Sequence, residues 1–525
     1  MARRQVSALI LIILLGAAFR IEFIRETNLT FEDALITFRY ADNLANGRGF
    51  VYNPGEKVLG TTSPLWTLML ASLEAVGLPD LVADGRGLSL IFYTLIILIL
   101  FTTIYSTCGH RPALIWAALF ASSSGAIPVT MSGMETPLFL LAMALAIRGF
   151  LRKSPLLPIG LALAVLTRID GLLLAAVFLA WDLLACRRSA LKRLALFLLL
   201  ISPWLVFSTS YFGGLLPQSA RAKAVAYHFG AWKSAAPFLM RFTPFGETSP
   251  SRFLAKSMAF CLVILGIVRT VMTRRDLGLL PLAAYYLLYC LAFMTSGVLI
   301  FPWYLTPATF AYDILLALGA SYLVTRALEP AGTRTRAMLM AAVLITVIGM
   351  NLATLSSRLQ EYREIQRIED RLRAPIGRWL KENAGPGASV FLEPIGYIGY
   401  HAGPDVKIID EVGIISPAIV RFRREGAGWY LRALEALKPD YIVEYTYSIE
   451  NNRVEATGEP LFQGRADLDW FHHRYKVVRT FEACGTCRYI KDKEKGYAIF
   501  KANTSVSTTM EGQNTRNRTA GIDFR

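Results

Sequence analysis

Through residue 355 the chain alternates long apolar runs with short polar connections. The runs fall at Val6–Phe19, Ser63–Val76, Gly87–Thr107, Ala113–Ile127, Thr136–Ala146 and Leu156–Leu166. Six more follow at Gly171–Ala185, Leu194–Phe212, Phe253–Val268, Leu277–Thr295, Tyr304–Val324 and Ala337–Leu355. Apolar runs of about 18 residues read as membrane spans rather than core helices. The first follows Arg3 and Arg4 and has no small-residue cleavage site, so it reads as a retained span, not a signal peptide. The connections richest in Lys and Arg, Arg148–Lys153, Arg187–Arg193, Arg269–Arg275 and Arg326–Arg336, belong on the cytoplasmic side. With a cytoplasmic N-terminus, that parity holds only if one early segment fails to cross. Ser63–Val76, short and opened by Thr61, Thr62 and Pro64, is the juxtamembrane or re-entrant candidate, which leaves about eleven spans.

This threading puts the first loop (25–62), Met131–Glu135, Thr167–Gly171, Gly213–Ser251 and Thr295–Trp303 on the outer face. After residue 355 the pattern changes. Glu361–Asn383 reads as a charged amphipathic helix and Tyr430–Leu437 as a second helix. Ser389–Glu393, Lys407–Val412, Tyr441–Tyr445, Tyr475–Phe481 and Tyr497–Ala502 read as strands. The expected architecture is a mainly α, polytopic membrane domain over 1–355 and an extracytoplasmic α/β domain over 356–503. The polar stretch 504–525 is expected to be disordered.

Composition sharpens this. Hydrophobic residues make up 54% and charged ones 18%, which excludes a soluble enzyme and a disordered chain. Lys and Arg number 55 against 39 acids, a net +16, but basic cytoplasmic loops account for such an excess, so membrane lipid and not nucleic acid is the expected partner. Only 5 histidines disfavour histidine-based catalysis. Cys484 and Cys487 have the spacing of half a zinc site, but lacking a second such pair they read as a hairpin disulfide on an oxidising face.

The stretch Thr30–Trp66 carries the densest candidate chemistry. Glu32 and Asp33 open an amphipathic helix at the membrane surface, where a shielded carboxylate could act as general base. The competing reading is a near capping box from Thr30 to Asp33. Arg221 and Lys223 follow Pro217 near a helix start, placed either to hold an anion or to snorkel to headgroups. Glu135, Arg168 and Asp170 lie where spans end, and charges at that depth must pair or face a watery cavity. Pairing of Arg168 with Asp170 or Glu135 is the structural alternative. Asp313, inside a span, could line a cavity or bond a neighbouring helix.

The pattern Glu32-Asp33-Ala-x-Ile-x-x-Arg39-Tyr40, the Asn46-x-Gly-x-Gly-x-x-Tyr52-Asn53-x-Gly-Glu56 run and Thr62-Ser-Pro-Leu-Trp66 resemble the GT-C superfamily of membrane glycosyltransferases. The likeness is greatest to bacterial polyprenyl-phosphate-sugar transferases of the terminal arabinofuranosyltransferase and aminoarabinose transferase types. It continues in Ser132-Gly-Met-Glu135-Thr, Thr167-Arg168-Ile-Asp170-Gly, Leu216-Pro217-Gln218…Lys223 and Phe301-Pro-Trp-Tyr304. Ile169 departs from it, standing where proline is expected. The resemblance implies Asp33 as base with Glu32 beside it, Lys223 and Arg221 at the donor phosphate, and Glu135, Arg168, Asp170 and Tyr304 lining the cavity. It implies transfer, with inversion, from a polyprenyl-phosphate sugar to an envelope glycan, lipid or protein on the outer face of the cell membrane. No cofactor is required on this reading, and a divalent metal stays open. The rival is a transporter or flippase of lipid-linked saccharides. Acceptor recognition is expected from Glu393–Tyr400 and Asp410–Gly413, read as turns exposing carboxylates and aromatics.

Overall fold

The computed structural model describes residues 3–185, 187–273, 277–327, 333–453, 458–482 and 496–503. Cys484, Cys487 and residues 504–525 lie outside these. The chain divides into two compact units, Met1–Arg367 and Ile368–Arg525.

The first unit is helical. After α1 (Arg3–Thr27) come α2 (Glu32–Ala45) and α3 (Pro64–Ala75), which flank the first polar loop. Next are α4 (Leu81–Cys108), α5 (His110–Ser122), α6 (Ala126–Met131) and α7 (Thr136–Leu151). They are followed by α8 (Leu156–Thr167), α9 (Gly171–Ala185), α10 (Arg187–Phe212), and the short α11 (Gln218–Ala226) and α12 (Ala231–Phe242). The last four are α13 (Pro250–Met272), α14 (Leu280–Thr295), α15 (Pro302–Ala327) and α16 (Thr333–Ile368). Among the described residues five of them, α1, α4, α10, α13 and α15, are long and apolar enough to cross a membrane, and α7, α8, α9 and α14 are apolar but shorter. Large apolar side chains on α10 and α13, such as Leu199 and Met258, are exposed, as a lipid-facing surface requires.

The bundle has two chemically distinct ends. Arg86, near the start of α4, donates to Asn28, Leu29 and Thr30 of the first loop. Near the other end of α4, Thr102, Thr103 and Ser106 accept from Arg148 and Arg152, and Arg111 reaches Thr325 on α15. The first loop therefore lies at one end of α4, and Arg111, Arg148 and Arg152 lie at the other. α3 stays at the first end: Trp66 donates to the Gly133 carbonyl and Glu74 accepts from Asn46 at the close of α2. At 12 residues it rises only about 18 Å, too short to span.

Two features show how tightly the helices pack. Added Cβ atoms at Gly266 and Gly319 would lie 2.0 Å from the Leu315 oxygen and 1.8 Å from the Leu262 oxygen, so α13 and α15 cross backbone to backbone. Arg20, beyond the predicted end of the first span, is fully buried inside α1. Its guanidinium donates to the carbonyls of Gly16, Ala121 and Phe120 and lies 3.9 Å over the Tyr93 ring. The open carbonyls at the end of α5 supply the acceptors that let a cation sit there.

The second unit opens with a π-helical turn (Glu369–Arg373) and α17 (Ala374–Asn383). Then follow β1 (Ser389–Leu392), α18 (Ile395–Ala402), β2 (Lys407–Asp410), α19 (Pro417–Arg424), α20 (Trp429–Leu437) and β3 (Tyr441–Tyr445). The unit ends with α21 (Thr446–Asn451), α22 (Arg465–Arg474), β4 (Tyr475–Glu482) and β5 (Gly496–Ala502). The sheet order is β2-β1-β3-β5-β4, parallel across β2-β1-β3 and antiparallel beyond. All five strand runs expected from sequence are strands. Phe391, Ile419, Tyr430, Leu434, Ile442, Phe471 and Phe500 form the core on one side.

The expectation that Glu393–Tyr400 and Asp410–Gly413 expose carboxylates is corrected. Asp410 is fully buried and accepts the backbone N–H groups of Val412, Ile414 and Ile415. Glu411 is buried against Arg423, Tyr397 is buried, and Glu393 and Tyr400 are half-buried. The turn after β2 folds around its own aspartate, which Asp does readily because its side chain mimics a backbone acceptor.

Candidate active site

α2 starts the site. Phe31 is its N-cap, with no side-chain cap, and Thr30 Oγ1 accepts from Arg86 instead. The capping-box alternative is thus not realised. Asp33, in the first turn, points across to α11, where Lys223 Nζ lies 2.7 Å from its Oδ2. The two side chains are 26% and 19% exposed, which places the pair at the edge of solvent and accessible to a ligand. Burial alone would lower the Lys223 pKa, but the Asp33 carboxylate overrides it, with Tyr304 adding, and holds the ammonium above the ordinary lysine range.

Side chains of α2 fold the loop that follows. Arg39 Nε donates to the Tyr52 carbonyl at 2.9 Å, with its guanidinium 4.3 Å from the Tyr52 ring centroid. Asn43 Nδ2 donates to the Val51 and Tyr52 carbonyls, both at 2.9 Å. Tyr40 Oη donates to Val58 O at 2.6 Å and accepts from the Gly60 amide. Next to this, Gln218 N donates to Leu59 O at 2.8 Å, which ties the start of α11 to the loop and brings Lys223 within reach of Asp33.

Behind the pair lies a second charge cluster. Arg168, 4% exposed, donates to Glu135 Oε1 at 2.9 Å and, through Nε and its other nitrogen, to Asp170 at 3.0 and 2.8 Å. Both alternatives foreseen for Arg168 are therefore realised together. Burial raises the Glu135 pKa above the usual carboxylate range even with Arg168 beside it. Tyr289 Oη lies 2.8 Å from Asp170 Oδ2 and 3.0 Å from the Tyr304 carbonyl, and the Tyr304 ring lies 5.5 Å from the Arg168 guanidinium.

Glu32 is half-buried beside Asp33. Arg221 is not brought in: two residues from Lys223 on one helix, it projects from a different face and is exposed. Sequence reasoning missed Tyr289, and also Phe301 and Trp303, whose ring centroids lie 5.2 and 6.0 Å from Lys223 Nζ. Their signal was the Phe-Pro-Trp-Tyr run, read for Tyr304 alone. Two buried hydroxyls, Ser219 one turn before Lys223 and Thr136 beside Glu135, have no hydrogen-bond partner among the described residues.

These residues do not fit a metal centre. Asp33 holds an ammonium, Glu135 and Asp170 hold Arg168, and among the described residues no three His, Cys, Asp or Glu gather as ligands.

This architecture, a multi-span helical bundle followed in the chain by a small α/β unit, is shared with solved structures. ArnT from Cupriavidus metallidurans, bound to undecaprenyl phosphate, is similar with a TM-score of 0.59 over 96% of this chain and 99% of that one, at 12% identity. The Archaeoglobus fulgidus oligosaccharyltransferase, in complex with Zn and sulfate, is similar with a TM-score of 0.56 over 91% of this chain and 72% of that one, at 14% identity. Residues 360–500 match a family described as a domain of unknown function, DUF8728. No curated protein matches the chain by sequence. The chain thus has the GT-C fold and is a polytopic membrane protein.

Proposed function

We propose that the protein is an inverting membrane glycosyltransferase that moves a sugar from a polyprenyl-phosphate donor to a hydroxyl of an envelope glycan, lipid or protein. The observation that carries this is the Asp33–Lys223 pair: a group able to take a proton and a group able to hold a phosphate, side by side in a GT-C fold. ArnT, which shares that fold, binds undecaprenyl phosphate. The basic end of the bundle is assigned to the cytoplasm and the Asp33 end to the outer face of the cell membrane.

In the reaction Asp33 takes the proton of the acceptor hydroxyl as its oxygen attacks the anomeric carbon. The bond from that carbon to the phosphate oxygen breaks, and polyprenyl phosphate leaves with the electron pair. Lys223 meets the charge that develops on it. Glu32 and the Glu135–Arg168–Asp170–Tyr304 cluster shape the polar floor. The partnerless hydroxyls of Ser219 and Thr136 are available to sugar or phosphate oxygens.

The test is to incubate the purified protein with a labelled polyprenyl-phosphate sugar and an acceptor extract, and follow release of free polyprenyl phosphate. Release that disappears in Asp33→Asn supports the proposal. Normal turnover by that variant, or movement of the donor across vesicles with no release, would refute it.

A further inference from the structure

A cavity lined by two arginines lies at the basic end of the bundle. From Arg86, bonded to the first loop, α4 rises about 33 Å to Cys108 at the rim of this cavity. From Trp303, beside Lys223, to Thr325 α15 covers the same distance of about 33 Å. A hydrocarbon core is about 30 Å thick, so the cavity belongs at the opposite membrane face from Asp33.

The cavity has a volume of about 430 Å³. Arg111 and Arg269 line it from α5 and α13, with Thr273, Ser321, Tyr322 and Thr325, and among the described residues that line it none is acidic. Both guanidiniums are set in place by the protein: Arg111 donates to Thr325 Oγ1 at 3.0 Å and Arg269 to the Leu318 carbonyl at 3.1 Å. Two anchored forks among hydroxyls match a phosphate ester, which accepts several hydrogen bonds at once. The neighbouring face of α13 is apolar and bare, with Val268, Val271 and Met272 exposed at 41%, 58% and 74%. An anion with acyl chains satisfies both surfaces; a soluble anion satisfies only the first.

We propose that this cavity binds the headgroup of an anionic phospholipid, its phosphate held by Arg111 and Arg269 and its chains lying along α13. Basic pockets between spans on the cytoplasmic side bind such headgroups as a general rule. The site is independent of the chemistry at Asp33.

Native mass spectrometry of the full chain tests this with phosphatidylglycerol and phosphatidylcholine of identical acyl chains. One phosphatidylglycerol should stay bound where phosphatidylcholine does not. Affinity should fall roughly 30-fold in Arg111→Gln/Arg269→Gln, at about 1 kcal/mol per arginine, whereas Arg111→Lys should retain most of it. Equal retention of both lipids, or an unaltered phosphatidylglycerol adduct in the double variant, would overturn the proposal. Displacement of the lipid by inorganic phosphate alone would overturn it too, since the site would then take a soluble anion. The wild-type protein gives a reading that needs no variant: phosphatidylglycerol should raise its Tm above that in phosphatidylcholine, and high salt should abolish the difference. A Tm indifferent to headgroup charge counts against the site.

Discussion

Lys223 Nζ and Asp33 Oδ2 meet at 2.7 Å although 190 positions separate the two residues in the chain. In the proposed reaction each needs a different partner, the phosphate for Lys223 and the acceptor hydroxyl for Asp33. A donor phosphate that draws Lys223 away leaves the carboxylate free for the acceptor. Binding should therefore be ordered, donor first. Product-inhibition patterns check this: polyprenyl phosphate should compete with the donor and not with the acceptor.

Asp33→Asn keeps the shape of the site and removes the proton acceptor. The expected loss in kcat is about 10²–10⁴-fold, with donor affinity kept or raised because Lys223 no longer has to leave a carboxylate. Lys223→Gln should raise the donor KM as well as lower kcat. Because the two act as one unit, the double variant should be scarcely slower than Asp33→Asn, which steady-state kinetics of all three would show.

Arg168 neutralises the buried Glu135 and the partly buried Asp170. Arg168→Ala strands Glu135 and Asp170, at an expected cost of about 3–5 kcal/mol. Glu135→Gln should cost much less, since Asp170 keeps its two-point contact with Arg168. Thermal unfolding in detergent of the two variants should separate them clearly.

Gly319→Ala puts a carbon where the Leu262 oxygen already sits, and should cost about 1–3 kcal/mol through forced separation of α13 and α15. Gly87→Ala on α4 meets nothing within 4 Å and should be neutral or mildly stabilising. The difference in Tm between these two glycine variants is the measurement.

Burial raises Asp410 and Glu444 to about 7 and lifts Glu411 above the usual range, with Glu393 adding to all three. The folded unit therefore keeps protons that the unfolded chain releases near pH 4. This contribution to stability is fully present below about pH 4 and is lost as pH rises through about 7. Thermal melts of the full chain, followed by hydrogen exchange in β1 to β3, should show the second unit weakening from about pH 5 to 8. Glu444→Gln should flatten that slope.

How much of this could be read in advance depended on the range of the cause. The strands β1 to β5 were legible because β-rich runs between Gly and Pro turns are local signals. Asp33 and Lys223 were each legible as candidates, but their contact is tertiary, set by the Gln218–Leu59 bond, which no spacing reveals. Arg39, Tyr40 and Asn43 fold the first loop, so much of the motif that carried the resemblance is scaffold rather than chemistry. Arg221 misled because proximity in sequence is not a shared helix face. Asp410 misled because an aspartate in a turn was read as exposed when the turn closes over it. Arg20 escaped notice because two of its three acceptors lie a hundred residues away, at the end of α5.

The two-ended anchoring of α11 bears on how fast the site can respond. Its first residue is tied to Leu59, and beyond its last turn Tyr227 O accepts from Leu299 N while Phe229 N donates to Gly297 O. With the backbone pinned on both sides, exchanging a carboxylate for a phosphate falls to the four torsions of one lysine side chain. Rotamer hops of that kind take picoseconds to nanoseconds, whereas lids take microseconds or longer. Arrival of the lipid and departure of the product, and not rearming of the base, should then set the pace of each turnover.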